Sequence, residues 1–419
     1  MAVALLVPLG VAGCVEEFTG TELRSDATQE TVGPAAVRSV SQEVTALGAD
    51  VLRTLAARDA GDVAVAPGAL AVQLSMVAAG AATSSATALD ALLGGVGLTT
   101  STAGRATIEG AVSVPDGRGG TRRSPERSGS VSVETAIALW IQRGPTVAEA
   151  FLDDLAVAHG TGVREVDFRS DPEGARAAMN LWTSGATNEA VAEVAPGGSV
   201  TAVTRLLSTA AQVVQAPWLL PFDVEATQPG TFTTASGEVV EVPTMVVEAP
   251  IGLRWGAGPG WQAVGLPYLG RELMVVVAIA DPGAPPLTSR LDADLVTGMI
   301  DALRPRPLTV RLPRFSLDET VSLSGVLADL GAGVVFDTDL ADLTVAAPAE
   351  RLALSDVLQA IRLDVTEEGS GGSAATVTPG DVNLPPTSRE VVVDRPFLLM
   401  VLDVPSRIPV LLAEIVDPS

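Results

Sequence analysis

The spacing of apolar positions changes character along the chain, and the changes mark its elements. Val44, Leu47, Val51, Leu52 and Leu55 recur at helical intervals and predict a first amphipathic helix beginning near Glu43. A short apolar strand, Val63 to Val65, and Pro67 follow. Next comes a helix from Leu70 to Ala82 carrying Leu74, Met76, Val77 and the small pair Gly80-Ala81, then a shorter helical segment from Leu89 to Leu93. Val131 to Gln142 reads as a strand and Ala148 to Ala158 as a helix, with His159 just past its end. Asp171 suits the N-cap and Pro172 the first turn of a further helix whose Ala175, Met179 and Trp182 share one face. From Val203 strands dominate: Leu206 to Val214, Val239 to Val247, Gln262 to Leu266, Leu273 to Ala280 and Leu308 to Leu312, interrupted by helices near Leu291 to Leu303 and Leu323 to Leu330. Helices and strands that mix without regular alternation indicate an α+β fold. Residues 41 to 419 contain no internal repeat and no interdomain linker, which predicts one large domain.

Towards the C-terminus the pattern breaks. Apolar runs at Leu352 to Val365, Val391 to Val393 and Phe397 to Leu402 flank a stretch of small residues centred on Gly369-Ser370-Gly371-Gly372-Ser373-Ala374-Ala375-Thr376. Such composition ordinarily means a flexible linker or surface loop. The alternation suggests more, because a strand sends every second side chain to the same face. Counted from Ser370, one face carries Ser370, Gly372, Ala374, Thr376, Thr378, Gly380 and Val382, all uncharged and none larger than Val. The other face carries the one acid, Asp381, so this segment could enter a closed core as a strand without burying a charge. Gly369, Gly371 and Gly372 make ordering it costly in entropy, and Pro379 cannot donate a ladder hydrogen bond.

Composition then excludes several chemistries. The formal charge is −24, and all 26 basic side chains are Arg, which argues against nucleic acid as a partner. Without lysine there is no Walker A loop, pyridoxal Schiff base or Ser-Lys pair. One cysteine and one histidine leave no multi-thiolate zinc site, no internal disulfide and at most one imidazole base, and no cofactor is expected. His159 lacks a nucleophile-elbow serine or cysteine, so an enzyme is not expected. The acids Asp337, Asp339 and Asp342 lack the glycine and terminal Glu of a calcium loop and read as a solvated turn.

Residues 1–13 are uncharged, apolar and too short to span a bilayer, and they lead through Val11-Ala12-Gly13 to Cys14. This resembles a bacterial lipobox. The resemblance implies a lipoprotein signal segment over 1–13, lipidation of Cys14, and a protein held by its lipid on the outer face of the cytoplasmic membrane. Lysine-free usage rich in Ala, Val, Gly, Asp and Arg fits a GC-rich bacterial source. Residues 14–40 are polar and acidic and are expected to form a disordered tether. The stretch from Thr99 to Gly129 holds Arg105, Arg118, Arg122, Arg123 and Arg127 and reads as a solvated basic surface loop.

Landmarks in register along residues 41–418 carry a stronger likeness. They run from Val65-Ala66-Pro67 through Asn180-Leu181-Trp182 with Thr187-Asn188, then Trp218 with Phe222-Asp223, Thr227 and Phe232. Val242-Pro243-Thr244-Met245, Leu266-Pro267-Tyr268, Leu312-Pro313-Arg314-Phe315 and Ala341-Asp342-Leu343-Thr344 follow. Glu367-Glu368-Gly369-Ser370, Asp394-Arg395-Pro396-Phe397 and Val416-Asp417-Pro418 complete the series. In this the chain resembles the serpins. It departs from their pattern at Ala66, where the family has Ser, at Glu189-Ala190, at Ala210, where it has Asn, and at Leu411 and Ala413.

The resemblance implies a large mixed sheet with two smaller sheets, about eight or nine helices and an exposed reactive-centre loop over 367–393. It implies a suicide-type inhibitor of serine or cysteine proteases. The loop is cut as bait, and its upstream part inserts into the main sheet while still acylated to the enzyme. Glu367, Glu368, Gly369, Ser370, Gly372, Ala374, Ala375 and Thr376 would form the hinge. Counting forward from Glu367 in the family spacing ends at Asn383, and counting back from Pro396 ends at Pro385. Since Pro on the leaving side resists most proteases, Asn383-Leu384 is the expected scissile bond. Expected partners are subtilisin-, elastase- or chymotrypsin-like proteases, met by a monomer. Cleavage at Arg389, the one basic residue of the loop, would instead attract trypsin-like enzymes. The alternative is a non-inhibitory serpin acting as a surface binding or scaffold protein.

Overall fold

A computed structural model describes residues 20–95, 102–109, 131–249, 251–371 and 389–419. Residues 1–19, Cys14 among them, the arginines at 118–127, and Gly372, Ala374, Ala375, Thr376, Asn383 and Leu384 lie outside the described residues. The α+β expectation holds. Among the described residues three sheets form, and the main one runs in the order Thr21–Leu23, Val163–Val166, Ser132–Gln142, Leu206–Pro217, Gly369–Ser370, Leu354–Val365, Phe315–Ser322.

A second sheet is built on Trp261–Pro267, Leu273–Ala280, Phe397–Asp403 and Ile408–Ile415, with Arg254–Gly258 and the two-residue Arg304–Pro305 at one side and Val63–Val65 at the other. The third joins Glu390–Val392, Leu308–Pro313, Val239–Ala249 and Gln228–Thr233.

The long strands are buried on both faces, which is why they read as continuous apolar runs rather than alternating ones. Helix Pro67–Ala79 shows the same effect in helical form: every one of its residues is buried, and it packs against the underside of the main sheet. Helix Pro172–Ala186 covers the opposite face. Asp171 caps it as expected, accepting from Gly174 N at 2.9 Å, and Trp182 meets Trp140 of the sheet edge-on at 5.7 Å.

Two expectations change. Residues 20–40 are part of the domain rather than a tether. Thr21–Leu23 adds an antiparallel edge strand to Val163–Val166, Glu22 accepts from Gly162 N at 3.2 Å and faces Arg164 at 3.5 Å, and Pro34–Ser39 is helical. Backbone pairing, one ion pair and a few apolar side chains, Val37 and Val40 in the core with Leu23 and Val32 against it, achieve this, too few to show in composition. The second change concerns the basic loop, of which 102–109 are helical. Arg105 is buried on this helix and paired with Asp154, so it belongs to the interior. His159 ends helix Glu149–His159, buried between Ser75 Oγ at 3.2 Å and Glu109 at 3.0 Å.

Candidate functional site at the open end of the main sheet

The main sheet has a seam. Leu206–Pro217 and Leu354–Val365 pair with each other in parallel from Leu206↔Leu354 to Val213↔Arg362, with an irregularity at Leu354/Asp356. Beyond Val213 the two strands part. Into the gap turns the chain that follows Val365: Ser370 pairs antiparallel with Ala216 on one side and with Val365 on the other, and Gly369 pairs with Pro217. The hinge therefore begins inside the sheet.

Local chemistry explains the turn. Thr366 donates both its backbone N–H and its hydroxyl to the Gly369 carbonyl, each at 2.9 Å. Gly369 has φ 152° and Gly371 φ 72°, a conformation that side chains resist, and a Cβ on Gly369 would collide with the Ala216 carbonyl. Glycine at 369 is what lets the chain reverse against that strand.

The hinge residues are then held one by one. The Glu367 carbonyl accepts from Phe222 N at 2.9 Å and the Glu368 carbonyl from Trp218 N at 3.0 Å. The buried Glu367 carboxylate accepts from Thr227 Oγ1 at 2.8 Å and lies 3.5 Å from the Arg314 guanidinium. Trp218 donates its indole N–H to the Thr366 carbonyl at 2.8 Å and stacks on Tyr268 with centroids 4.5 Å apart and planes within 4°. The Tyr268 hydroxyl lies 2.5 Å from Ser370 Oγ, with both side chains fully buried. Burial pushes the Tyr268 phenol well above its ordinary range, so it stays protonated and can donate.

Ser370 points to the core face, the face on which alternation placed it. Gly371, on the other face, borders a cleft of about 410 Å³ lined by Asn188, Glu189, Gln215, Arg362 and Asp364. Arg362 reaches over it to the Ala190 carbonyl at 3.1 Å. At the far root of the loop, the Arg389 guanidinium sits 4.0 Å over the Trp255 ring, and its carbonyl accepts from Thr309 N at 2.9 Å. Strand Glu390–Val392 then runs parallel to Leu308–Pro313.

Of the expected hinge, Glu367, Glu368, Gly369 and Ser370 are thus brought together. Sequence reasoning assigned no role here to Tyr268 or Trp218, although both stood among the landmarks. It also passed over Gln73, Ser208 and Gln359, which lie under the seam fully buried. The signal for them was a polar residue inside an otherwise apolar run.

The site is thus a mixed sheet with a parallel seam, parted at one end by the residues that follow Val365. The chain matches the family model described as serpin (serine protease inhibitor) over residues 42–418, and it belongs to that family. It is 30% identical over 292 residues to plasminogen activator inhibitor 1 of Mus musculus, an alignment spanning 68% of this chain and 72% of the relative. It is 26% identical over 294 residues to antithrombin-III of Homo sapiens, spanning 69% and 63%. Among solved structures, native tengpin, a thermophilic serpin, superposes with a TM-score of 0.81 at 16% identity, covering 95% of this chain and 99% of that one. Mouse protein-Z dependent protease inhibitor follows at 0.76 and 21%, covering 93% and 100%. At these identities the structures speak for the fold alone.

Proposed function

We propose that the protein is a suicide-type inhibitor of serine or cysteine proteases that traps the acyl-enzyme by inserting its cut loop into the main sheet. The observation that carries this reading is Ser370, seated between Ala216 and Val365 at the mouth of a seam whose two strands pair directly with each other further down. Continuing the same antiparallel register would bring Gly372 opposite Val214, Ala374 opposite Gln212 and Thr376 opposite Ala210. These are small side chains against a buried face, and the new strand would gain ladder hydrogen bonds on both sides, its residues facing the two neighbours in turn. The named inhibitors among the relatives support the same class.

Asn383-Leu384 is the proposed scissile bond. Arg389 is a weaker candidate, because its side chain stacks on Trp255 and its backbone already pairs with Thr309. The target class proposed is subtilisin-, elastase- or chymotrypsin-like. Lipid attachment at Cys14, holding the protein on the outer face of the cytoplasmic membrane, is part of the proposal on the lipobox-like sequence.

The test is incubation of the full chain with those three protease types. A detergent-stable covalent complex is expected, with a cut site mapping to 383/384 and a large rise in melting temperature of the cut form. Cleavage without complex and without that rise would overturn the reading in favour of a non-inhibitory scaffold, the outcome that Pro379 favours.

A further inference from the structure

At the outer side of the second sheet, Arg304–Pro305 pairs antiparallel with Arg254–Gly258, and Arg304 stands opposite Trp255. Arg306 extends the ladder by donating its N–H to the Leu253 carbonyl at 3.2 Å. Opposed residues share a face and alternate residues return to it, so Trp255, Arg304 and Arg306 lie on one side of this ribbon. Arg389 joins them from the downstream root of the loop, its guanidinium 4.0 Å over the Trp255 ring. Arg304 is fixed in place by donating from Nη1 to the Asp301 and Leu303 carbonyls at 2.5 and 3.0 Å. All three arginines are exposed, and among the described residues none of them forms an ion pair. The neighbouring carboxylates of Asp301 and Glu390 are already held, by Arg407 at 2.5 Å and Arg311 at 2.6 Å. Glu248, opposite Thr309 on the third sheet, borders the group with one negative charge. A chain of formal charge −24 thus gathers three exposed guanidinium groups around a tryptophan beside its loop.

We propose that Arg304, Arg306, Arg389 and Trp255 form a docking surface for the target protease, selecting enzymes that carry carboxylates on the downstream rim of their cleft. The proposal rests on the bait reading above and adds what chooses among enzymes that could cut the same bond. Arg389 is six positions after Asn383, and six residues reach at most about 20 Å. A protease domain is about 40 Å across, so an enzyme closed on that bond has its downstream rim within reach of the patch. Arginine and tryptophan are enriched where proteins meet, and Ile251, two positions before Leu253 and 68% exposed, adds apolar area. That combination favours a protein over a polyanion, which needs the guanidinium groups alone. At long range the net charge repels an acidic enzyme. Within a Debye length of about 8 Å the three arginines reverse that field, so they act on the final approach and on orientation.

The test measures how fast the full-length protein is cut in its loop by two subtilisin-type proteases, one of acidic and one of basic surface, at low and high salt. Arg304→Gln/Arg306→Gln is expected to slow cutting by the acidic enzyme about fivefold at low salt, and the difference to vanish at about 1 M salt. Cutting by the basic enzyme should not slow. Arg306→Gln alone, which leaves the bonds of Arg304 to the helix end intact, serves if the double variant does not fold and should slow cutting about twofold. Arg304→Lys/Arg306→Lys should restore most of the rate, because the charge is kept. Arg24→Gln, which removes one charge beside the edge strand of the main sheet, should have no effect. Unchanged cutting by the acidic enzyme in the Gln variants, or equal slowing in Arg24→Gln, would overturn the docking surface. So would inorganic polyphosphate that binds the wild type and not the double variant while the cutting rates stay equal, since the patch would then be a polyanion site. If neither protease cuts the wild-type loop, the bait reading fails before any variant is compared, and the docking surface with it.

Discussion

The Ser370 hydroxyl and the Tyr268 phenol face each other at 2.5 Å inside the sheet, and neither has access to water. This contact seats the first inserted residue. Tyr268→Phe keeps the stack on Trp218 but leaves a buried hydroxyl without its partner, at a cost of about 1–3 kcal/mol. Amide exchange at Trp218, whose N–H is bonded to the Glu368 carbonyl, is expected to quicken, and the melting temperature of the uncut protein to fall.

Ser370→Arg places a charge where no solvent reaches. Burial of an unpaired charge costs several kcal/mol or more, so the hinge should leave the sheet rather than accept it. On the proposed function the variant is still cut by the target protease but forms no detergent-stable complex, and its melting temperature does not rise on cutting. Undiminished complex formation would contradict the role given to Ser370.

Gly369→Ala tests the turn. The added methyl meets the Ala216 carbonyl in a backbone conformation that alanine rarely adopts. We expect the pairings Gly369↔Pro217 and Ser370↔Ala216 to be lost together, read as faster exchange at Trp218 with the exchange of Val213 and Arg362 unchanged, because the closed part of the seam lies below them.

Acidity should act through a different region. Burial raises the carboxyls of Asp62, Glu319 and Glu414 above their ordinary range, with nearby acids adding to each. A raised carboxyl favours the native state most when protonated, and that contribution is lost as pH rises through the raised value. The melting temperature is therefore expected to be higher at about pH 5 than at neutral pH as far as these groups decide it. Glu414→Gln keeps the bond from Thr288 Oγ1, 2.6 Å in the native protein, and should melt higher at neutral pH with a smaller difference between the two.

Most of the scaffold was legible because its signals are local or periodic. Asp171 and Pro172 mark a helix start by backbone chemistry alone, and the inward face assigned to Ser370 follows from strand periodicity. What escaped were pairings between distant segments. Thr21–Leu23 is three residues long, too short for any period, and gains its place from the free edge of Val163–Val166. Arg105 looked like one more surface arginine because its partner Asp154 stands on another helix. Gln73 and Gln359 are 286 positions apart, and only the packed sheet shows that a buried glutamine in one element answers a buried glutamine in the other.

The two roots of the loop are held differently: Ser370 lies in the gap of the main sheet, whereas Arg389 is stacked on Trp255 and continues into the third sheet. On the proposed mechanism this gives insertion a direction and a length scale. Only the upstream piece can travel, and each residue between Ser370 and the cut carries the bound enzyme about 3.3 Å further down the seam. Residues added between the cut and Arg389 would change which enzyme is met but not how far it is dragged, so bait and stroke could be altered independently.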